Sequence, residues 1–390
     1  MNLYFFTEAR LDRVNGDIWT SQGFSMILWQ RYLVKFDHVY IMARVQHISE
    51  PSGDNLYKLD DSRVTVIDLP YYVGFNQYLG VRRKIQSIIR TFIKPGNAYI
   101  CRVPGLIGSI AAFCLKRKGI PYGVEIVGDP WDALSPRGFK SRFARVFQLI
   151  GCLQLKKVVR NASSALYVTN YMLQQKYPVK DGVFTVGASN VVLKDDCYSS
   201  QPRLVSHSYG KKIKMLAIGS LEQMYKAPDV VLQALVLVKN RGYNPYLTWF
   251  GDGRYRLPMI KMAEELNLQD NVNFVGSVKQ DTIREEFAKT DLFVHASRAE
   301  GLPRALVEAM AYGLPCIGSS IAGIPELLNS HALVKPDDII GLADIMIKFI
   351  TDNDFAQSEA NRNWEESKKY HDTILTTRRL VFYDEIIRLS

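Results

Sequence analysis

Short apolar runs alternate with amphipathic stretches along almost the whole chain. In the first half, the runs at Asn2–Thr7, His38–Val45, Thr65–Leu69, Ala98–Val103, Tyr122–Val127 and Ser164–Val168 have the length and composition of strands. Between several of them lie 3.6-residue patterns such as FSMILWQRYLVKF and GLIGSIAAFCLKRKG. Strand and helix in alternation predict a mostly parallel sheet covered on both faces. The pattern pauses at Lys194–Lys212, which is rich in Ser and Asp and has no periodicity, so it reads as a linker. The alternation then restarts. Near-continuous apolar strands at 213–219 and 246–251 fit a sheet buried on both faces. The tail Asn361–Ser390 is one helical pattern with a break near His371. The expectation is α/β with two doubly wound domains. Ligands of such sheets bind beyond the carboxyl ends of the strands, so chemistry belongs in the strand-to-helix turns.

Length agrees, since 390 residues exceed one ordinary core. No apolar run is long enough to span a membrane, and the start MNLYFFTEARLDR lacks the marks of a signal peptide. Five scattered cysteines, with no C-x-x-C pair, suit buried thiols in a reduced cytoplasmic protein and argue against structural zinc. Charge changes the picture more. Residues 81–160 hold 16 Lys and Arg against 3 Asp and Glu, whereas residues 201–390 hold 23 against 24. The basic excess therefore belongs to the first half and points to an anionic partner there. In VRRKIQSIIRTFIK (81–94) and 137–160, basic residues mix with Phe, Ile and Leu at roughly helical spacing. That composition suits helices lying on an anionic membrane surface; solvated helix faces are the plainer alternative. No nucleic-acid-binding signature is present.

The stretch SRAEGLPRALVEAM (Ser297–Met310) carries the candidate chemistry. A strand, DLFVHAS, runs into a helix that opens at Pro303, expected at the first helical position, and ends at Gly313. The N–H groups of Gly301, Leu302, Arg304 and Ala305 would point at an anion, assisted by the helix dipole. Glu300 would sit at the lip of that site, with Glu308 about one and a half turns into the helix. Carboxylates beside an anion site make sense for a diphosphate joined to hydroxyl-rich groups, as in a sugar nucleotide.

From Ser297 to Leu327 the sequence resembles the signature of GT-B retaining glycosyltransferases of family 4, the glycosyl transferases group 1, of the polysaccharide-biosynthesis type. The similarity covers roughly residues 212–345 through IGSLEQMYKAPDVVLQAL, WFGDGRYRLPM, VNFVGSV, DLFVHASRAEG and LVKPDD. It is looser in the first half, at TEARLDRVNGDIWTSQGFSMILWQRYL, ICRVPGLIGSIAAF and VEIVGDPWD. The resemblance implies a GT-B fold with two Rossmann-like domains facing a central cleft. Residues 1–195 would bind the acceptor, residues 205–364 the nucleotide-sugar donor, and a helix at about 365–390 would pack back on the first domain.

The resemblance also implies roles. Glu300 would contact the transferred sugar, Glu308 the ribose hydroxyls, and Lys226 the diphosphate. The backbone at Val278 would meet the base, and Gly23 would let the first domain approach the phosphates. Relatives often carry Arg where this chain has Ser220, and His where it has Gly128 followed by Asp129. Arg102, Arg298 or Arg304 could restore the missing cation on the diphosphate, and Asp129 could take over positioning on the acceptor side, where Arg102 also falls. The implied reaction is metal-independent transfer from a UDP- or GDP-sugar to a glycan or lipid-linked sugar, with retention, by a cytoplasmic protein peripheral at the inner face of the membrane. No cofactor is implied beyond the nucleotide sugar as co-substrate. A sugar-nucleotide epimerase, or a sugar-nucleotide-binding protein without transferase activity, would share the donor residues.

Overall fold

The structure is a computed structural model that describes residues 1–20, 22–50, 56–135, 143–206 and 210–390, the side chain of Gln22 excepted. The first half runs β1 (Asn2–Val14), β2 (Asp17–Thr20), α1 (Met26–Leu33), β3 (His38–His47), β4 (Tyr57–Leu59), β5 (Val64–Pro70), α2 (Gly74–Phe92), β6 (Ala98–Val103), α3 (Leu106–Lys118) and β7 (Gly123–Ile126). Then come the one-turn helix α4 (Pro130–Ala133), α5 (Ala144–Arg160), β8 (Ser164–Tyr167), α6 (Met172–Lys176) and β9 (Phe184–Gly187). The second half runs β10 (Lys212–Ile218), α7 (Pro228–Asn240), β11 (Asn244–Phe250), α8 (Arg256–Glu265), β12 (Val272–Gly276), α9 (Gln280–Phe287), β13 (Leu292–His295), α10 (Arg304–Ala311), β14 (Cys316–Ser319) and β15 (Leu333–Val334). Helices α11 (Ile339–Thr351), α12 (Asn353–Ser367) and α13 (Asp372–Leu389) close the chain.

Two sheets result, the first mainly parallel with antiparallel β2 and β4 added at β1, the second parallel. In the first, β5-β3-β1-β6-β7-β8-β9 pair in that order, all parallel. The second is parallel throughout, in the order β12-β11-β10-β13-β14-β15. Each winds outward from a central first strand in both directions, the doubly wound arrangement. In the first sheet, Phe5 packs edge-on against Trp29 and Tyr32 of α1 at ring distances of 5.3 and 5.1 Å. All three rings are buried, each contributing about 1.5–3 kcal/mol.

The first strand is longer than its apolar run. Expected at Asn2–Thr7, β1 continues to Val14 and returns as antiparallel β2. The turn is Asn15-Gly16, with φ of 50° and 93°, the left-handed pair that a two-residue hairpin needs. The tail breaks where expected, a short 3-10 turn at Lys368–Tyr370 followed by His371 separating α12 from α13.

The chain divides into two compact units: Met1–Gly128, Ile150–Ala188 and Thr376–Ser390 form one, Asp129–Leu149 and Ser189–Leu375 the other. Asp129–Leu149, expected within the first domain, falls instead with the second unit. There, side chains of α4 and α5 line a cleft with Arg298 and Ile321. Much of the linker is docked rather than loose. Ser199 N–H donates to the Ala311 carbonyl and Arg203 N–H to that of Gly313, both at 3.1 Å. Gly313 has φ 66° as expected of a helix end, and a Cβ there would meet Pro202 Cα at 2.5 Å.

Candidate functional site

Lys226 is positioned by the turn after β10. Gly219 N–H donates to Phe250 O and Leu221 N–H to Asp252 O, each at 2.8 Å, which ties this turn to the one after β11. Ser220 uses its hydroxyl to accept Glu222 N–H at 3.2 Å and so shapes the loop. A 3-10 turn, Met224–Lys226, leads to Ala227, whose φ of 50° is rare for a residue with a side chain. Such a conformation costs on the order of 1–3 kcal/mol and persists only where its surroundings enforce it. Ala227 is buried, and Pro228 then opens α7. A Cβ at Gly219 would lie 2.4 Å from Lys226 Cγ, so the glycine lets the lysine stem lie along the loop.

Glu300 follows β13, and three donors converge on its Oε1. Lys226 Nζ is one; His295 Nε2 and Ser297 Oγ, each 2.7 Å away, are the others. Among the described residues no hydrogen bond reaches Oε2. The Glu300 side chain is about 10% exposed and that of Lys226 about 24%. Burial alone would raise the Glu300 pKa; the Lys226 charge and the His295 contact outweigh it and hold the carboxyl well below its usual range. Burial, reinforced by Lys226, pushes the His295 pKa down from 6.5 against the opposing pull of Glu300. The ring is therefore neutral at pH 7, and next to a carboxylate oxygen its proton belongs on Nε2. His295 and Ser297 carry little mark in the sequence. Their only signal was polar residues closing an otherwise apolar strand, VHAS.

Arg298 is not a spare cation. Its guanidinium meets both oxygens of Asp229 at 2.8 Å, Asp337 Oδ1 at 2.6 Å and the Met224 carbonyl at 2.9 Å. Burial lowers its pKa, but the two carboxylates more than reverse that. It braces the Glu300 loop against the Lys226 turn, and its charge is spent in doing so. Arg102 is likewise engaged, 3.4 Å from Glu125 and over the ring of Phe24. Arg304 is exposed, at the start of α10.

The α10 terminus differs by one residue from expectation. Pro303 is the capping residue itself, extended at φ −74° and ψ 114°, and no side chain caps the helix. The first N–H groups of a helix have no intrahelical partner, so Arg304 and Ala305 leave theirs for an anion. The preceding loop is fixed by Gly323 N–H, which donates to the Gly301 carbonyl at 2.8 Å; Leu302 is buried. Glu308 is half-buried. Burial raises its pKa, opposed by Arg304, by a hydrogen bond from Gln280 and by Arg284. Val278 is half-buried in the turn between β12 and α9. Lys226, Glu300 and the α10 terminus thus belong to the second unit, at strand ends and the turns after them, with Glu308 inside α10.

Asp129, expected to act in positioning on the acceptor side, precedes α4. It is buried, and its Oδ1 accepts Trp131 N–H at 2.8 Å, capping α4. In the first unit, Gly23 lies exposed in a 3-10 turn, Gln22–Phe24, where a Cβ would meet nothing within 4 Å.

Residues 203–370 match the family described as Glycosyl transferases group 1. Protein CapJ of Staphylococcus aureus is 31% identical over 372 residues, 95% of this chain and 92% of that protein. The amylovoran biosynthesis glycosyltransferase AmsK of Erwinia amylovora is 30% identical over 145 residues, 35% of each chain. Among solved structures, Anabaena Alr3699/HepE in complex with UDP and glucose has a TM-score of 0.64 at 16% identity, covering 97% of this chain and 98% of that one. With nearly its whole length aligned to CapJ and residues 203–370 matched to the family, the chain belongs to the glycosyl transferases group 1 and has the GT-B fold.

Proposed function

We propose that this glycosyltransferase moves a sugar from a UDP- or GDP-sugar to a hydroxyl of a glycan or lipid-linked sugar, with retention, in cell-surface polysaccharide assembly. The observation that carries the reading is the convergence of Lys226, His295 and Ser297 on one oxygen of Glu300, beside the uncapped start of α10. Oε1 is saturated, so Oε2 is left to accept hydroxyls of the donor sugar. A carboxylate held so far below its ordinary pKa is a weak nucleophile, which favours same-face attack assisted by the leaving diphosphate. The charge growing on that leaving group would be met by Lys226, by the N–H groups of Gly301, Leu302, Arg304 and Ala305, and by the exposed guanidinium of Arg304, with no metal ion. Glu308 would hold the ribose diol, and the backbone at Val278 the base; Ser220 would keep the loop before Lys226 in shape. HepE was solved with UDP-glucose, and the named role of AmsK is amylovoran biosynthesis. Both favour a sugar nucleotide as donor and a polysaccharide as destination.

The same reading places the protein on an anionic membrane from the cytoplasmic side. Among the described residues no helix is long and apolar enough to cross a membrane. Helix α2 exposes Phe75 and Leu79 together with Arg82, Arg83 and Lys84. Helix α5 exposes Val146, Leu149, Ile150 and Leu153 at helical spacing beside Lys156 and Lys157. Arg137, Lys140 and Arg142 lie outside the described residues.

Thermal unfolding in the presence of UDP, GDP and their sugars tests the donor assignment. A ligand at 100 times its dissociation constant adds about 2.7 kcal/mol, a clear upward shift. No shift with any member of the panel would remove the basis of the reading.

A further inference from the structure

The second unit holds a cleft of about 380 Å³, in the size range of small-ligand sites. One wall is Trp131, Asp132 and Ser135 from α4 and its end, with Arg145 of α5. The other wall is Arg298, Ile321 and Pro336. Apart from Arg298, none of these residues belongs to the donor site.

Trp131 is 45% exposed, although indole is among the side chains that gain most from burial. Looseness does not explain this, because its backbone is held at both ends. Its N–H is fixed on Asp129 Oδ1 at 2.8 Å, and its carbonyl accepts Gln148 Nε2 at 2.5 Å. Asp129 and Gln148 are themselves only 4% and 7% exposed. Two buried polar side chains and Pro130 thus pin a one-turn helix that presents an aromatic ring at the cleft. Asp132 follows directly, in the same cleft.

An aromatic face next to a carboxylate matches a sugar ring, which has an apolar C–H face and a rim of hydroxyls. The indole would cover the former and Asp132 would accept from the latter. The donor set adds a bias. Arg298 has its guanidinium on Asp229, Asp337 and the Met224 carbonyl, so it forms wall more than contact. Arg145 is exposed, and is the cation left to meet an anionic substituent on that sugar.

Arg298 lies two residues before Glu300, and the turn containing Ile321 is tied to Gly301 through the 2.8 Å bond from Gly323. The cleft therefore shares its wall with the loop that carries the donor carboxylate. We infer that Trp131 and Asp132 form the acceptor-sugar subsite of this enzyme, with Asp129 acting as a positioning residue through Trp131. This inference rests on the donor reading of Glu300 given above.

The probes are methyl β-D-glucopyranoside, methyl N-acetyl-β-D-glucosaminide, methyl β-D-glucuronide, and octyl β-D-glucopyranoside below its micelle concentration. Binding is read by saturation-transfer NMR on the full chain, saturated with whichever of UDP or GDP stabilises it. The expected result is binding of at least one glycoside by wild type. Trp131→Ala should weaken it about tenfold or more, Asp132→Asn should weaken it, and Trp131→Phe should keep most of it. Asp129→Ala should weaken it through the ring, because the side-chain cap on Trp131 N–H is lost. In all four variants the nucleotide-induced thermal shift should stay at the wild-type value, which also shows that each is folded. Tighter binding of the octyl than of the methyl glycoside assigns the sugar to a lipid carrier; equal binding assigns it to a free glycan. Both results support the subsite. No glycoside bound, or equal binding by wild type and Trp131→Ala, overturns it. Loss of the nucleotide shift in wild type itself would instead refute the donor reading, so the two failures are separable.

Discussion

Replacing Lys226 separates what the lysine does for the fold from what it does for the reaction. Lys226→Met is the sharper change, because methionine keeps a stem of similar shape over Gly219 while removing the charge. The Glu300 carboxylate would then lose one of three donors to Oε1 and keep His295 and Ser297, each at 2.7 Å. A hydrogen bond to a charged group contributes about 1.5–3 kcal/mol, whereas breaking a fully buried ion pair costs about 3–5 kcal/mol. With the lysine side chain about 24% exposed and two donors retained, the lower range applies. Stability should fall by about 1.5–3 kcal/mol, measured by urea unfolding. Turnover should fall further. Removing one preorganised donor from a developing anion typically costs on the order of 10²–10³ in rate. Release of nucleoside diphosphate from the donor found by thermal screening is the assay, run below the variant's unfolding temperature. Turnover within a few-fold of wild type would refute the leaving-group role and leave Lys226 as a partner for Glu300 alone; Arg304 would then be the next residue to replace.

Other outcomes are as specific. Glu308→Ala should weaken binding of the nucleoside diphosphate by about 1.5–3 kcal/mol, read by calorimetry, and unchanged affinity would end the ribose assignment. Because the His295 pKa is lowered from 6.5, the unfolded chain takes up that proton first, so stability falls as pH drops below about 6.5. Lys226→Met removes a cause of that depression, and its urea midpoint should fall less than wild type's between pH 7.5 and 5.5; an equal fall would contradict the coupling. Wild type should pellet with anionic vesicles in low salt and much less in high salt or with neutral lipid. Changing Arg82, Arg83, Lys84, Arg137, Lys140 and Arg142 to Gln should abolish most of that pelleting and spare nucleotide binding; pelleting that ignores lipid charge would make the basic segment ordinary solvated surface.

Much of the fold was legible because burial on both faces of a parallel sheet forces near-continuous apolar runs. The strands at His38, Ala98 and Ser164 begin where those runs begin. The β1–β2 hairpin was missed although Asn15-Gly16 is a strong turn signal, because the strands it joins carry charged residues such as Arg10, Asp12 and Arg13 and make no apolar run. In the site, Glu300, Lys226 and Glu308 stand out by motif. Arg298 does not reveal its role, because neutralisation depends on Asp229 and Asp337, which are 69 and 39 residues away and meet it only once the turns are folded. His295 is silent for the same reason: a single polar residue at a strand end acquires meaning from the carboxylate five positions on. Trp131 looks like one more aromatic in a loop until Asp129 and Gln148 are seen holding its backbone.

The central claim is that a sugar leaves its nucleotide on the face by which the acceptor enters, with Lys226 and the start of α10 stabilising the diphosphate and Glu300 holding the sugar. Proton NMR at the earliest times of turnover reads this directly, using the α-linked nucleotide sugar that stabilises the protein and either water or a glycoside as acceptor. The account predicts that the first product signal is the α anomer, with the β anomer growing only later by mutarotation of free sugar. A β anomer as the first product, or release of nucleoside diphosphate that is unchanged in Lys226→Met, would contradict it.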